Sequence, residues 1–418
     1  MCALRRLPVR KFFFFALFGS LALATGCGGG GSSNNGGSGG GGAVANSVPI
    51  VVNAGLVNSA DTAFASVTVC VPGTSNCQTI DNMVIDTGST GLRILKSSLT
   101  LPLTQAKGPT GNPLLNCGQF VSFFTWGPVM TADVKMAGEV ASSVPIQVIG
   151  DADTGFPNPA PACKASSTTE ANTVSALGGN GILGVGPFLQ DCGSGCSVAT
   201  NNPGFYYECP SPSVCGPTAA NVPTNQQVAN PISFFAGDNN GVVIQLPQVP
   251  AAGAPSVSGT MIFGIGTQSN NSLGNATVFT LLSDGTFSTL FAGQSYPGSF
   301  IDSGSNGIFF LTTNDPGIKG TGIFNCTDSQ GNPNGFYCTP QTVNLSATNQ
   351  GTNGHTNIVN FSVADANSLP VSNTAFNDLT GSNPGSFDWG LGFFFGRTVF
   401  TAIEGQSTPG GPGPFFAY

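Results

Sequence analysis

Val84-Ile85-Asp86-Thr87-Gly88-Ser89 and Phe300-Ile301-Asp302-Ser303-Gly304-Ser305 are the same six-residue pattern written twice. Each has two apolar residues, an Asp, a small hydroxyl residue, a Gly and a Ser. The glycine lets the backbone turn tightly, and Asp and Ser are good turn formers. One such hexamer is only a turn. A second signal recurs behind each copy, however: Asn180-Gly181-Ile182-Leu183-Gly184 after the first and Asp388-Trp389-Gly390-Leu391-Gly392 after the second. Leu183 lies 97 residues beyond Asp86, and Leu391 lies 89 beyond Asp302. Two signals in one order at similar distances predict a duplicated lobe.

The rest of the chain predicts what those lobes are made of. Of 418 residues, 60 are Gly and 30 are Pro, which disfavours long helices. Residues 63–69 and 133–137 alternate apolar and polar between Gly- and Pro-rich breaks, as short strands do. Residues 224–236 are the one stretch with a helical or irregular look. The expected fold is all-β and bilobal. The expected lobes are 48–250 and 256–418, joined through the Pro/Ala/Gly-rich residues 247–255.

The N-terminus predicts export. Arg5, Arg6, Arg10 and Lys11 precede an apolar run from Phe12 to Ala24, and small residues follow it. That is the layout of a secretory signal over residues 1–26, too short for a lasting membrane span. Leu23-Ala24-Thr25-Gly26-Cys27 resembles a bacterial lipobox, which makes Cys27 the expected lipidation site. Residues 27–47 then form a Gly/Ser-rich tether. Gly28 after Cys27 points to the outer membrane, on its periplasmic or surface face.

Apart from Cys2 and Cys27, ten cysteines remain, an even number suited to an oxidising compartment. Spacing suggests Cys70–Cys77 and Cys326–Cys338 pairs, and Cys117 with Cys163 across a hairpin. Cys192, Cys196, Cys209 and Cys215 form two bridges of open connectivity, or, less simply, a zinc site without a nearby His.

The formal net charge is −8, and the 11 Lys and Arg include the four of the leader. So acidic a chain excludes nucleic acid as a partner. A monomer is expected.

Taken together, the motifs resemble the pepsin-like aspartic peptidases. In that family each lobe supplies an Asp-Thr/Ser-Gly turn beside a later apolar-apolar-Gly strand. Phe124-Thr125-Trp126-Gly127 resembles the flap hairpin, residues 259–266 the strand entering the second lobe, and residues 393–400 the final stretch. The resemblance implies that Asp86 and Asp302 are a catalytic pair. Thr87 and Ser303 would bond across the lobes, Ser89 and Ser305 would bind the outer carboxylate oxygens, and Gly88 and Gly304 would bring N–H groups to the carboxylates. It implies endoproteolysis of extended peptides or unfolded protein, with no metal and no cofactor. Two positions depart from the family: Arg93 stands where Trp is usual and Trp126 where the flap carries Tyr. An Arg93–Trp126 stack over the cleft, a cation–π contact worth on the order of 1 kcal/mol, is one expectation; the other is a core Trp126 and a solvated strand residue at Arg93.

Two adjacent carboxylates suit peptide hydrolysis because like charges at close range share one proton, leaving one base and one acid. A serine hydrolase is excluded by the lack of a plausible base. The only histidine, His355, sits in a Gly/Asn/Thr-rich loop. A catalytically silent peptide-binding protein or structural envelope protein of the same fold is the rival reading.

Overall fold

A computed structural model describes residues 45–418 except 151–154, 168, 199, 212, 213, 217 and 218. The expected leader, Cys27 and most of the tether lie outside the described residues. Strands dominate, and the two described α-helices, Pro161–Lys164 and Val174–Leu177, are four residues each.

In the first half the strands are β1 (Ser47–Val52), β2 (Ala63–Cys70), β3 (Cys77–Asp86), β4 (Thr90–Leu95), β5 (Thr104–Gln105) and β6 (Leu114–Gln119). They continue with β7 (Phe124–Met136), β8 (Glu139–Ile149), β9 (Gly181–Val185), β10 (Tyr206–Glu208) and the β11–β12 hairpin (Gly241–Leu246, Val257–Phe263). All six residues of β4 and all five of β9 are buried; β9 reads as a continuous apolar run, whereas β4 buries Thr90 and Arg93 among its apolar residues.

The second half builds a nine-stranded sheet. At its centre Asn383–Trp389 lies between Gln294–Ile301 and Ile308–Leu311. Its core is aromatic: Phe310, Phe361, Phe387 and Trp389 pack with ring centroids 5.1–5.3 Å apart for four of their pairs.

The halves are joined by strands from both. β1 pairs with β12 over six residues, from Ser47↔Ile262 to Val52↔Val257. β11 then pairs with Arg397–Ala402, which pairs with Phe415–Ala417 and through it with Val278–Thr280. Residues 247–256 are thus the loop of a hairpin inside this shared sheet. Buried Asp61 adds a tie by accepting the Phe376 N–H at 2.7 Å.

Both halves repeat one crossing. β9 runs parallel to β3 and antiparallel to β4, between the two arms of the Asp86 turn. Asn383–Trp389 runs parallel to Gln294–Ile301 and antiparallel to Ile308–Leu311, between the arms of the Asp302 turn. The register corrects one reading of the sequence. Leu183 lies beside Ile85, and the residue beside Ile301 is Trp389, not Leu391, which begins a short 3-10 turn. The matching glycines are therefore Gly184 and Gly390. A Cβ on Gly184 would sit 2.8 Å from Gly91 N, and one on Gly390 would sit 1.9 Å from Gly307 O. Only glycine lets the inserted strand press against the opposite arm.

Candidate active site

The two Asp turns meet tip to tip. A Cβ on Gly88 would lie 2.5 Å from Asp302 Cγ, and one on Gly304 would lie 2.7 Å from Asp86 Cγ. Each glycine thus marks the place where the other lobe's carboxyl passes over the backbone. The two carboxyl groups are within hydrogen-bond reach of each other.

Beneath them the turns exchange four bonds. Thr87 N–H donates to Ser303 Oγ (3.1 Å) and Ser303 N–H to Thr87 Oγ1 (2.9 Å). Thr87 Oγ1 donates to Ile301 O (3.2 Å) and Ser303 Oγ to Ile85 O (2.8 Å). Every polar atom of this buried crossing is satisfied, which fixes the separation of the carboxyls above it.

The donors to the two acids are similar but not identical. Asp86 Oδ1 accepts Gly88 N–H (2.8 Å) and Ser89 N–H (3.1 Å), and its Oδ2 accepts Ser89 Oγ–H (2.5 Å). Asp302 Oδ1 accepts Gly304 N–H (2.8 Å), and its Oδ2 lies 2.9 Å from Ser305 Oγ. Burial first, and the neighbouring Asp302 second, push the Asp86 carboxyl well above the usual carboxylate range.

A third acid stands behind the second turn. Asp388 is 8% exposed, its Oδ2 lies 2.7 Å from Ser305 Oγ, and its Oδ1 is buried without a partner. Desolvation, and after it the charge of Asp302, push its carboxyl well above the usual range. Its one signal in the sequence was an acid standing two residues before Gly390, where Ile182 stands before Gly184 in the first lobe.

The hairpin expected to be a flap is built differently from expectation. β6 and β7 pair from Leu115↔Pro128 to Gln119↔Phe124, so the tip is residues 120–123. There Phe120 and Phe123 stack at 4.5 Å, and Val121 is 85% exposed. Trp126 is not at the tip. It is fully buried opposite Cys117, donates Nε1–H to Phe156 O (3.1 Å) and packs on Tyr207. Gly127, also buried, touches the Val148 carbonyl so closely that a Cβ would lie 1.9 Å from it. Both residues belong to the body of the hairpin, because β7 is thirteen residues long and they lie near its buried start.

Nor does Arg93 stack on Trp126. It pairs with Asp191 (2.9 Å), donates to Gln147 Oε1 (2.7 Å) and to Asn116 Oδ1, and lies over the Phe120 ring at 5.6 Å. Tyr206 donates to the other Asp191 oxygen. A buried cation needs such a carboxylate and polar side chains. Asp191, Asn116, Gln147 and Tyr206 are widely separated in the chain, so no local motif announces them.

The Cys-rich insertion braces this region. β10 covers the outer edge of β6, and Cys117–Cys163 ties the hairpin to the Pro161–Lys164 helix. The group of four resolves as Cys192–Cys196 and Cys209–Cys215, and Cys70–Cys77 and Cys326–Cys338 close their hairpins. An Asp365 carboxylate oxygen lies within 4.8 Å of the Cys326 and Cys338 sulfurs, but disulfide sulfurs are not thiolate ligands. Two open depressions of about 510 and 650 Å³ flank Arg397, and neither is lined by Asp86 or Asp302.

Residues 42–418 match the model of a family described as "Protein of unknown function (DUF3443)". No protein of curated function matches the chain in sequence. Among solved structures the chain is similar to the crystal structure of aspartic proteinase from Irpex lacteus, at 16% identity. That similarity spans 89% of this chain and 96% of the other, with a TM-score of 0.47. So distant a likeness decides nothing about chemistry, which rests on the two turns.

Proposed function

This chain belongs to the DUF3443 family, and we propose that it is an aspartic endopeptidase that hydrolyses extended peptides. One observation carries the reading. Two carboxyls from duplicated turns face each other within hydrogen-bond reach, each held by a glycine N–H and a serine hydroxyl.

Two carboxyls so placed share one proton and titrate as a pair. A water bound between them loses a proton to the ionised member while its oxygen attacks the peptide carbonyl carbon. The protonated member donates to the carbonyl oxygen, giving a neutral gem-diol. Collapse re-forms the C=O and breaks the C–N bond. The diol's proton returns to a carboxylate, and the leaving nitrogen takes one from the pair.

Placement outside the cytoplasm belongs to the same proposal, with Cys27 as a lipid anchor in the cell envelope. The five disulfides support an oxidising destination.

The test incubates the disulfide-formed protein with an unfolded protein substrate from roughly pH 3 to 7, the span in which carboxyl pairs titrate. Cleavage abolished both by pepstatin and by Asp86→Asn establishes the reading. A folded protein that cleaves nothing at any pH is instead a peptide-binding or structural member of the fold.

A further inference from the structure

The Ser305 hydroxyl lies between two carboxyls, 2.9 Å from Asp302 Oδ2 and 2.7 Å from Asp388 Oδ2. A hydroxyl has one proton to donate and two lone pairs to accept with. If both acids were ionised, one of these two short contacts would be lone pair against lone pair. One acid therefore carries a proton and donates it to Ser305, and Ser305 donates to the other.

The remaining oxygens decide which. Asp302 Oδ1 accepts the Gly304 N–H at 2.8 Å, whereas Asp388 Oδ1 is buried with no donor. An anion is favoured where donors point at it and is costly where a bare oxygen is buried. We propose that Asp388 is a third, neutral carboxyl whose O–H holds the Ser305 hydroxyl on Asp302, making Asp388 a positioning residue for the pair.

The chain of bonds runs Asp388 Oδ2–H to Ser305 Oγ, and Ser305 Oγ–H to Asp302 Oδ2. Loss of the Asp388 proton to solvent leaves one hydroxyl proton between two anions, so Asp302 keeps its donor only while Asp388 stays neutral. The charged groups acting on Asp388 are Asp302 and Asp86, both acidic. Of the strands flanking it, Gln294–Ile301 and Ile308–Leu311, only Tyr296 is titratable. The Asp388 carboxyl is raised by burial and by these acids, in the direction the geometry requires.

The location of the proton stands whether or not the protein is a peptidase; its effect on catalysis rests on that reading. Two measurements on the purified full chain separate them. The first compares the melting temperature of wild type and Asp388→Asn from acid to neutral pH. The folded wild type retains a proton that the unfolded chain releases above the usual carboxylate range. Wild-type stability is therefore intact below that range and falls as pH rises towards the folded pKa. The amide has no such loss, so its advantage should widen with pH and then level off. A gap that stays constant or narrows would overturn the proposal, because Asp388 would then be ionised in the folded protein. Should Asp388→Asn fail to fold, Asp388→Ile, copying Ile182 of the first lobe, permits the same comparison.

The second measurement is the pH profile of kcat/KM. In Asp388→Asn the amide goes on donating to Ser305, so the alkaline limb should move up by about one unit, roughly one hydrogen bond to a charged group. A widening stability gap with an unmoved limb overturns the positioning role. A widening gap in a protein without proteolysis confirms the proton and removes the peptidase reading instead.

Discussion

The two Asp turns share a backbone plan but not an electrostatic one. In the first lobe, Arg93 on the outer arm lies opposite Ile182 on the inserted strand. In the second, the corresponding residues are Phe309 and Asp388. One lobe thus puts a cation on its arm, neutralised by Asp191, and the other puts an acid on its inserted strand. Ser89 serves Asp86 alone, while Ser305 stands between Asp302 and Asp388. Duplication explains the shared plan, and the differing neighbours are what can separate the behaviour of two otherwise equivalent carboxyls.

The largest expected effect treats the turns as equals. Asp86→Asn and Asp302→Asn should each lower kcat by roughly 10⁴-fold, the scale for residues that act as a unit, measured as peptide cleavage in acid. Asp86→Asn has a second signature. Because burial and Asp302 raise the folded carboxyl, wild-type stability is lost as pH rises above the usual carboxylate range. The variant should therefore gain melting temperature over wild type at neutral pH and not in strong acid. A gain in acid alone would contradict the buried, protonated state.

Arg93→Met sharpens the comparison at the arm. It leaves Asp191 buried without its cation and should cost about 3–5 kcal/mol in denaturant unfolding. Phe309, the equivalent residue, is half-buried against Phe336 and has no buried partner charge. Phe309→Met should cost less, about 1 kcal/mol. Equal losses would mean the arms differ only in name.

Smaller effects are expected at the crossing beneath the acids. Thr87→Val and Ser303→Ala each leave a buried N–H and C=O unpaired and should cost about 1–3 kcal/mol apiece. The double variant removes all four bonds, two with each substitution, and should cost about the sum. A double loss well below the sum would show that the two pairs of bonds are not independent supports of the crossing.

What the sequence made legible was local. The hexamers around Asp86 and Asp302 announce tight turns because Gly and Asp have few alternatives there. The Cys70–Cys77 and Cys326–Cys338 bridges close short hairpins that their spacing already suggests. The repeat predicted two like turns, and the pairing of their carboxyls was what the family resemblance implied. What stayed hidden depends on packing between distant segments. Trp126 packs against Tyr207, which lies 81 residues further along the chain, and therefore faces inward. Arg93 finds its partner at Asp191 for the same reason. The two-residue offset at Trp389 could not be read, because Gly390 and Gly392 are equally good glycines until one meets the Gly307 carbonyl. Nothing in the sequence marks Asp388 as buried, and only the register with Phe300 brings it to Ser305.

The pairing of β1 with β12 sets the order in which this chain can assemble. Ser47 finds its partner at Ile262, and the same sheet takes in Phe415–Ala417. An early strand emerging from a ribosome, held to β2 only at Val51 and Val52, must wait for its long partner until residues 257–262 have followed. Contacts of such long sequence separation make folding slow and leave strand edges open meanwhile. The central sheet is thus completed by its last arrivals, and a chain cut before Phe415 would lose the strand that joins 397–402 to 278–280.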